Sequence, residues 1–401
     1  MLYFRQWRLN MKYLMLLILL YPYSYAFDES KQLQQIYPLQ KTHNSQKILR
    51  AMQADIKTYL YQTPLSSYAY FNEHSTSLRS QALITWIHGD IYIKTLAAEK
   101  EPHIRATLNK GQYTHLGDYR YDIFTLLSDL LLQMQEDSDF SGSKEKAIMG
   151  TLIDGYFDKL HNQKLQCPCI DDALSDVKGS ELLFQYTKVT KQQRRLKVGF
   201  EGLSKIDKEQ AKFLKRKMNI YFQKRKLLAI KDIAMDKFGN YMLLSEGKTD
   251  KPQDDMIFIL SAYTTPISYQ LDSNMKKSYQ NKSRSDKPMV VSSFNQSNYA
   301  GTIKIHEQDF FVTKLNPALK LEPQSEQTRE YKNYASALGF ILASFHANPE
   351  LKSCTQFSDK INKQVKQRVV KTELISMVYA YNETLEKRWE DFTDKDLLSL
   401  K

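Results

Sequence analysis

Apolar positions along the chain recur mostly at helical spacing, with a smaller set of short β-branched runs between them. From Ser45 to Leu60, Ile48, Met52, Ile56 and Tyr59 follow one another at three- and four-residue steps, which predicts an amphipathic helix stopped by Pro64. Ala82–Ile87 is short, β-branched and aromatic, so it predicts a strand that delivers His88-Gly89-Asp90 at its end. Tyr121–Met134 is apolar on nearly every side, the pattern of a buried helix, and Lys144–His161 gathers Ile148, Leu152, Tyr156 and Leu160 on one face. Further on, Phe213, Leu214, Met218, Tyr221 and Phe222 form an apolar stripe whose opposite face is basic. Strands are expected at Tyr241–Leu244, Met256–Leu260 and Phe310–Leu315, and the Ser/Asn/Lys-rich stretch Asn274–Asn298 reads as a loop or insertion. Two helices, Tyr331–Ala347 and a longer one over Ser358–Phe392, close an α+β, helix-rich chain with no internal repeat.

The N-terminus has its own order. Arg5, Arg8 and Lys12 precede the apolar run Tyr13–Tyr21, then Pro22 and the small-residue site Ser24-Tyr25-Ala26. That order is a secretory signal peptide cleaved after about Ala26, with residues 27–401 as the mature chain and a periplasmic or secreted destination. A membrane anchor is the alternative, but the run falls short of the roughly 20 residues a bilayer requires. The signal takes three of the 57 basic residues and none of the 45 acidic ones, so the mature chain stays basic. Such a balance favours anionic surfaces, and the basic segment Lys188–Lys231 is the place for an anionic surface or an acidic partner, with a solvated helix face as the plainer reading. Cys167, Cys169 and Cys354 allow one disulfide in an oxidising compartment. Cys354 is the natural partner of Cys167 or Cys169, and the other is left as a thiol. Two cysteines one residue apart, without a histidine at ligand spacing, are a weak signal for zinc.

The candidate chemistry lies in His88-Gly89-Asp90, since an aspartate just after a strand can accept a hydroxyl proton during phosphoryl transfer. Alone it reads as an ordinary Gly-Asp turn. The segments around it, however, resemble in sequence and order an uncharacterised bacterial, kinase-like family called domain of unknown function 2252. Thr63–Phe71 resembles that family's S-P-F-x-F segment, Ile87-His88-Gly89-Asp90 the start of its G-D-x-H-x-x-N-F-G loop, and Gly117–Ile123 its G-P-x-x-W-D-L segment. Lys231-Asp232-Ile233-Ala234 is similar to its K-D-x-A, Phe310–Leu315 to its F-Y-V-R-Q-L strand, Leu338–Ala347 to its G-x-x-L-A-x-A-H-A helix, and Val378–Glu383 to its closing segment. The family in turn resembles aminoglycoside-type phosphotransferases with the order of parts changed. The resemblance implies a two-lobed, circularly permuted kinase-like fold, with residues 27–225 and 316–401 as a helical large lobe and 226–315 as a small strand-containing lobe.

Carried over residue by residue, the resemblance makes Asp90 the candidate base, with His88 beside it and Asp122 holding the loop backbone. The family's histidine and metal-associated asparagine positions are Tyr92 and Thr95 here, and its acidic cluster falls on Lys110-Gly111-Gln112. Asp118 is the substitute metal ligand. Only Gly239 remains of the glycine-rich run, and the phosphate-binding lysine falls near Ser261-Ala262-Tyr263, so Lys314 or Lys304 would have to reach in. His346, on an apolar helix, reads as a satisfied core histidine. Phosphoryl transfer needs a base, a metal pair and a cation together, and only the base is clear. The leading expectation is a non-catalytic, kinase-like binding protein. One alternative is a divergent phosphotransferase or nucleotidyltransferase using ATP and Mg with Asp90 and Asp118; another is an envelope-surface or anionic-lipid binder. Asp90 and Asp122 are expected to lie together beneath a pocket between two lobes, with His88 and Tyr92 nearby.

Overall fold

The computed structural model describes residues 43–394 except 76–79, 100–104, 110–112, 138–139, 176–178, 191–192, 227–228, 237–238, 248, 250–251, 264–265, 296–298, 324 and 349–351. The signal segment and Lys110–Gln112 therefore lie outside the described residues, as do the side chains of Cys169 and Cys354. Cys167 is partly buried.

The fold is α+β and helix-rich. Three short helices come first: α1 (His43–Ala54), α2 (Ile56–Gln62) and α3 (Pro64–His74). The single helix expected from Ser45 is split because Asp55 takes extended backbone and its carboxylate accepts the Lys57 and Thr58 N–H groups, starting a new helix. Pro64 opens α3 instead of merely ending α2, since its missing N–H is no loss in a first turn. A ribbon follows, made of β1 (Ile84–Ile87), the small hairpin β2 (Leu96–Glu99) and β3 (Arg105–Leu108), and β4 (His115–Asp118), which pairs antiparallel with β1. Then come α4 (Tyr119–Asp137), α5 (Gly142–His161), α6 (Pro168–Ser175) and α7 (Gly179–Tyr186).

The second part opens with the hairpin β5 (Thr187–Thr190) and β6 (Gln193–Leu196). After it come β7 (Ser204–Lys205), α8 (Lys208–Gln223), β8 (Ile230–Met235), β9 (Tyr241–Ser245), β10 (Met256–Ala262), α9 (Ile267–Leu271), α10 (Ser273–Asn295), β11 (Gly301–Ile305) and β12 (Gln308–Lys314). Six strands make one antiparallel sheet in the order β11-β12-β10-β9-β8-β7. On it α8 lays down Leu214, Met218, Tyr221 and Phe222 against Leu243, Phe258, Leu260 and Val312, so the apolar stripe of that basic helix is core, while Lys212 and Arg216 are exposed and Lys215 donates to the Lys231 carbonyl. The sheet layer thus reaches back to Ser204, past the boundary expected at 226.

The Asn274–Asn298 loop is not a loop. It is largely α10, which carries Pro288 internally and packs against β3, β4, β11 and β12, burying Lys287 and Val290. Its polar composition and the lost backbone bond at proline hide it from the periodicity. The chain ends with α11 (Thr328–His346), α12 (Lys352–Gln364) and α13 (Gln367–Thr393). The last two replace one expected helix because Lys366 is non-helical and gives its N–H to the Gln81 side chain.

The helical layer centres on α4, buried from Tyr119 to Leu132 under α3, α5, α11, α13 and β1. Its tightest contact is α5 on α11. A methyl group at Gly339 would sit 2.0 Å from the Leu152 carbonyl oxygen, and one at Gly155 would sit 2.6 Å from that of Ser336. Both obstacles are backbone, which cannot step aside. Gly339→Ala should therefore force α5 and α11 apart and cost about 2 kcal/mol or more, read as a lower urea midpoint; an unchanged midpoint would contradict this packing.

Candidate functional site

His88-Gly89-Asp90 follows β1 and turns sharply at Gly89, whose φ is +84°. A Cβ there would lie 2.7 Å from the Tyr113 carbonyl oxygen, so both the angle and the space require glycine. Asp122, in the first turn of α4, holds this turn. Its Oδ2 accepts the His88 N–H at 2.7 Å and its Oδ1 the Gly89 N–H at 2.9 Å. His346 of α11 reaches the same Oδ2 through Nε2 at 3.2 Å, and its Nδ1 lies 2.8 Å from the Tyr156 hydroxyl of α5. With the carboxylate ionised, Nε2–H donates and Nδ1 accepts the phenol proton. His346 is thus a satisfied core histidine that also completes the anchor. Burial alone would raise the Asp122 pKa; the His346 hydrogen bond, the imidazoles of His346 and His88 and the Gly89 N–H outweigh it, and the carboxyl lies below its ordinary value of 3.8.

Two turns further along α4, Asp129 repeats the device. It accepts the Ile93 N–H at 2.7 Å and the Tyr61 hydroxyl at 2.6 Å. Here burial prevails and raises the carboxyl pKa against the pull of Tyr61 and Ile93. Between the two anchors Thr95 closes a single turn, its hydroxyl donating to the Tyr92 carbonyl at 2.6 Å and accepting the Tyr92 N–H at 3.1 Å. Thr95 is thereby committed to its own backbone.

Asp90 is only 4 % exposed. His88 Nδ1 stands 3.0 Å from Asp90 Oδ1, an ion-pair distance, yet the two are misaligned, and that oxygen and both ring nitrogens of His88 make no hydrogen bond. The neighbouring cation is Lys287 of α10, fully buried, its ammonium 4.6 Å from the Phe311 ring centre and 4.9 Å from that of Tyr263. Burial pushes the Lys287 pKa down to about 7 although the charge of Asp90 works to raise it. His115 of β4 completes the enclosure. Its Nδ1 lies 2.6 Å from the Tyr113 carbonyl, which fixes the proton there, and Nε2 faces the Ser268 hydroxyl at 2.5 Å. Burial lowers its pKa to about 4, with Lys287 adding to the shift and Tyr113 opposing it.

Asp90, His88, Tyr92 and Asp122 are therefore brought together, and Asp118 and Lys314 stand apart. Both oxygens of Asp118 are held by the Arg120 guanidinium, and the ribbon register sets Asp118 opposite Ile84, at the far end from His88. A carboxylate already forked by arginine is a poor metal ligand, which removes the Asp118 assignment. Lys314 lies half-buried at the end of β12 opposite Phe258; the lysine beside Asp90 is Lys287, near the Tyr263 position where the resemblance expects one. Among the described residues no group of three or more His, Cys, Asp or Glu is placed to hold a metal ion. A cavity of about 680 Å³ opens between α6, α11 and Lys320–Pro323, and another of about 350 Å³ between α8 and the β11–β12 turn; neither is lined by Asp90 or Asp122.

No family model, curated protein or solved structure matches this chain. Function must be read from the residues themselves. Of these, Asp129, His115 and Lys287 went unmarked in the sequence. For Asp129 a signal exists: it is the second acid, seven residues after Asp122, on a helix otherwise too apolar to expose them. For Lys287 none does, because its helix reads as a loop.

These groups set a pH dependence. His115 is neutral when folded, so above its unfolded value of 6.5 it costs nothing, and as pH falls from 6.5 toward about 4 the unfolded chain binds the proton first. Stability should fall by about 3 kcal/mol across that window, and His115→Gln should flatten the fall in urea titrations at stepped pH. Asp122 works at lower pH: its contribution holds above 3.8 and is lost as pH drops through its lower folded value. Asp122→Asn keeps an acceptor for one loop N–H only, turns an NH2 donor toward the other and removes the charge that His346 and the loop sustain, and should cost about 3 kcal/mol at neutral pH, seen as a lowered Tm; an unchanged Tm would contradict the anchor.

Proposed function

We propose that this chain is an exported, kinase-like protein of the domain of unknown function 2252 type, which keeps the frame of a phosphotransfer loop, has lost its chemistry and acts by binding. One observation carries the reading. The aspartate in the base position is enclosed, with fully buried Lys287 supplying the nearby positive charge from within the protein. A general base must reach a substrate hydroxyl, and Asp90 is only 4 % exposed, with the charge of Lys287 of α10 close enough to act on it. The remaining charged groups are equally occupied: Asp118 by Arg120, and Lys231 by Asp255 at 2.8 Å and Glu246 at 3.3 Å. What persists is the part that fold stability itself selects, the grip of Asp122 on the turn at His88 and Gly89.

The test is nucleotide binding and transfer. Magnesium or manganese ATP should give no saturable thermal stabilisation at sub-millimolar concentration, and Asp90→Asn should match the wild type in labelled-phosphate transfer to hydroxyl acceptors. Saturable stabilisation, or metal-dependent transfer abolished in Asp90→Asn, would establish the active phosphotransferase instead.

A second test addresses Lys287. Its folded pKa lies below the unfolded 10.5, so the unfolded chain holds the proton more tightly; the lysine costs stability at neutral pH, and the cost shrinks as pH rises from about 7 to 10.5. A plain core lysine replaced by Met should gain about 1–3 kcal/mol at pH 7. If Asp90 depends on that charge, Lys287→Met should lose stability instead, and the double variant Asp90→Asn with Lys287→Met should recover it. The proposal expects this recovery, and simple additivity in the cycle would contradict it.

A further inference from the structure

At one end of the core that α8 forms with the sheet, the packing stays open. The cavity of about 350 Å³ between α8 and the β11–β12 turn lies there, at the small end of the range for ligand pockets. Phe213 of α8, Tyr241 of β9 and Phe310 of β12 line it, and all three rings are only partly buried where they meet the core. The fold thus presents aromatic faces at a concave edge instead of sealing them inside.

The turn beside this edge is strained. Ile305 pairs with Gln308, so His306 and Glu307 make a two-residue hairpin, and His306 takes a φ of +52° that glycine would adopt more freely. Its ring lies nearly flat on Phe213, with 4.7 Å between centres and 12° between planes. A side chain retained at a strained backbone position points to a use for that side chain. Here it builds one wall of the cavity.

The polar groups of the lining are mostly acceptors. Gln210 donates Nε2 to the Tyr241 hydroxyl at 2.7 Å, which leaves its own carbonyl to accept and the phenol proton to donate. Gln308 gives Nε2 to the Tyr263 and Asp309 carbonyls at 3.3 and 3.2 Å, which leaves its Oε1. Glu307, 98 % exposed, has one oxygen 3.4 Å from the Lys304 ammonium and adds further acceptors. Charge selects against ions of either sign. The Glu307 carboxylate disfavours an anion, and the Lys217 ammonium and Arg216 guanidinium, 5.8 and 6.0 Å from the Phe213 ring centre, disfavour a cation. What fits is a neutral molecule with an apolar face for the rings and several hydroxyls for the acceptors.

We propose that this cavity binds a neutral carbohydrate, a single sugar ring or a disaccharide, whose C–H face lies on the Tyr241 and Phe310 rings while its hydroxyls donate to Gln210, Gln308 and Glu307 and one accepts from Tyr241. The site is separate from the Asp90 turn, and the inference stands whether or not that turn binds nucleotide.

Calorimetric titration with cellobiose, maltose and N,N′-diacetylchitobiose decides it, using the chain from Phe27, which retains the whole compact unit Thr42–Lys401. At least one of these disaccharides should bind saturably, with an affinity that changes by less than about twofold between low and high salt, because the ligand carries no charge. Tyr241→Phe keeps the ring and removes the donor, and should weaken binding about tenfold; Gln308→Ala should weaken it by a similar factor. His306→Gly relieves the left-handed backbone and removes the wall, so binding should fall while the melting temperature holds or rises. A histidine serving the fold alone would show the reverse. Absence of binding by all three disaccharides would overturn the proposal. So would sugar binding indifferent to the Tyr241 and Gln308 changes, or preferential binding of 2-naphthoate or choline.

Discussion

One buried carboxylate ties the helical layer to the candidate site. Asp122 is fully buried, so its charge is sustained by the His88 and Gly89 N–H groups of one turn and by His346 of a distant helix. Each partner would be costly to remove singly, because what remained would be a buried charge with an incomplete shell. The sharp turn at Gly89, the placement of Asp90 and the seating of α11 against α5 follow from that one constraint. Asp129 supports it two turns away by doing the same for Ile93 and Tyr61.

This frame separates architecture from chemistry. A loop clamped by two helix carboxylates is a stable object whether or not it catalyses anything, and the residues beyond the clamp are free to change. Here Thr95 closes its own turn, Asp118 pairs with Arg120, and Lys287 is buried where the charge of Asp90 reaches it. The ammonium over Tyr263 and Phe311 stands near the position where the resemblance expects a phosphate-binding lysine, but it arrives from α10 and is sealed off. Buried charge of this kind costs stability, so its presence calls for a reason beyond packing. The charge of Asp90 offsets part of that cost.

The sheet layer has a different logic. Its inner surface is closed by α8 and by Leu183, Leu196 and Leu203, whereas Phe184, Val189, Val198 and Phe200 stay exposed on and beside the β5–β6 hairpin. The segment Lys188–Lys231 therefore divides into two physical parts. Helix α8 uses its apolar stripe for the core and ties Lys215 to the Lys231 carbonyl, while the hairpin joins the core through Leu196 and its polar ties and leaves Val189 exposed.

Much of this was legible in the sequence wherever the deciding forces are local. Apolar spacing placed α4, α5, α8 and α11 and the strand before His88, because burying one face of a helix or strand demands a period that the sequence must carry. The role of Asp122 followed only by resemblance, and its partners lie 34 and 224 residues away, distances at which no periodicity speaks. Local reading failed where backbone and composition disagreed, as at Asp55, at Lys366 and along α10, where a proline and many polar residues conceal a helix stabilised by the sheet and ribbon around it. By itself, then, the sequence determined the α+β class, the principal elements and the His88-Gly89-Asp90 turn. Only the tertiary structure decided that Asp118 is spent on Arg120, that Lys287 stands beside Asp90, and that the turn is closed over, since pairings between buried charges depend on which distant segments packing brings within a few ångströms.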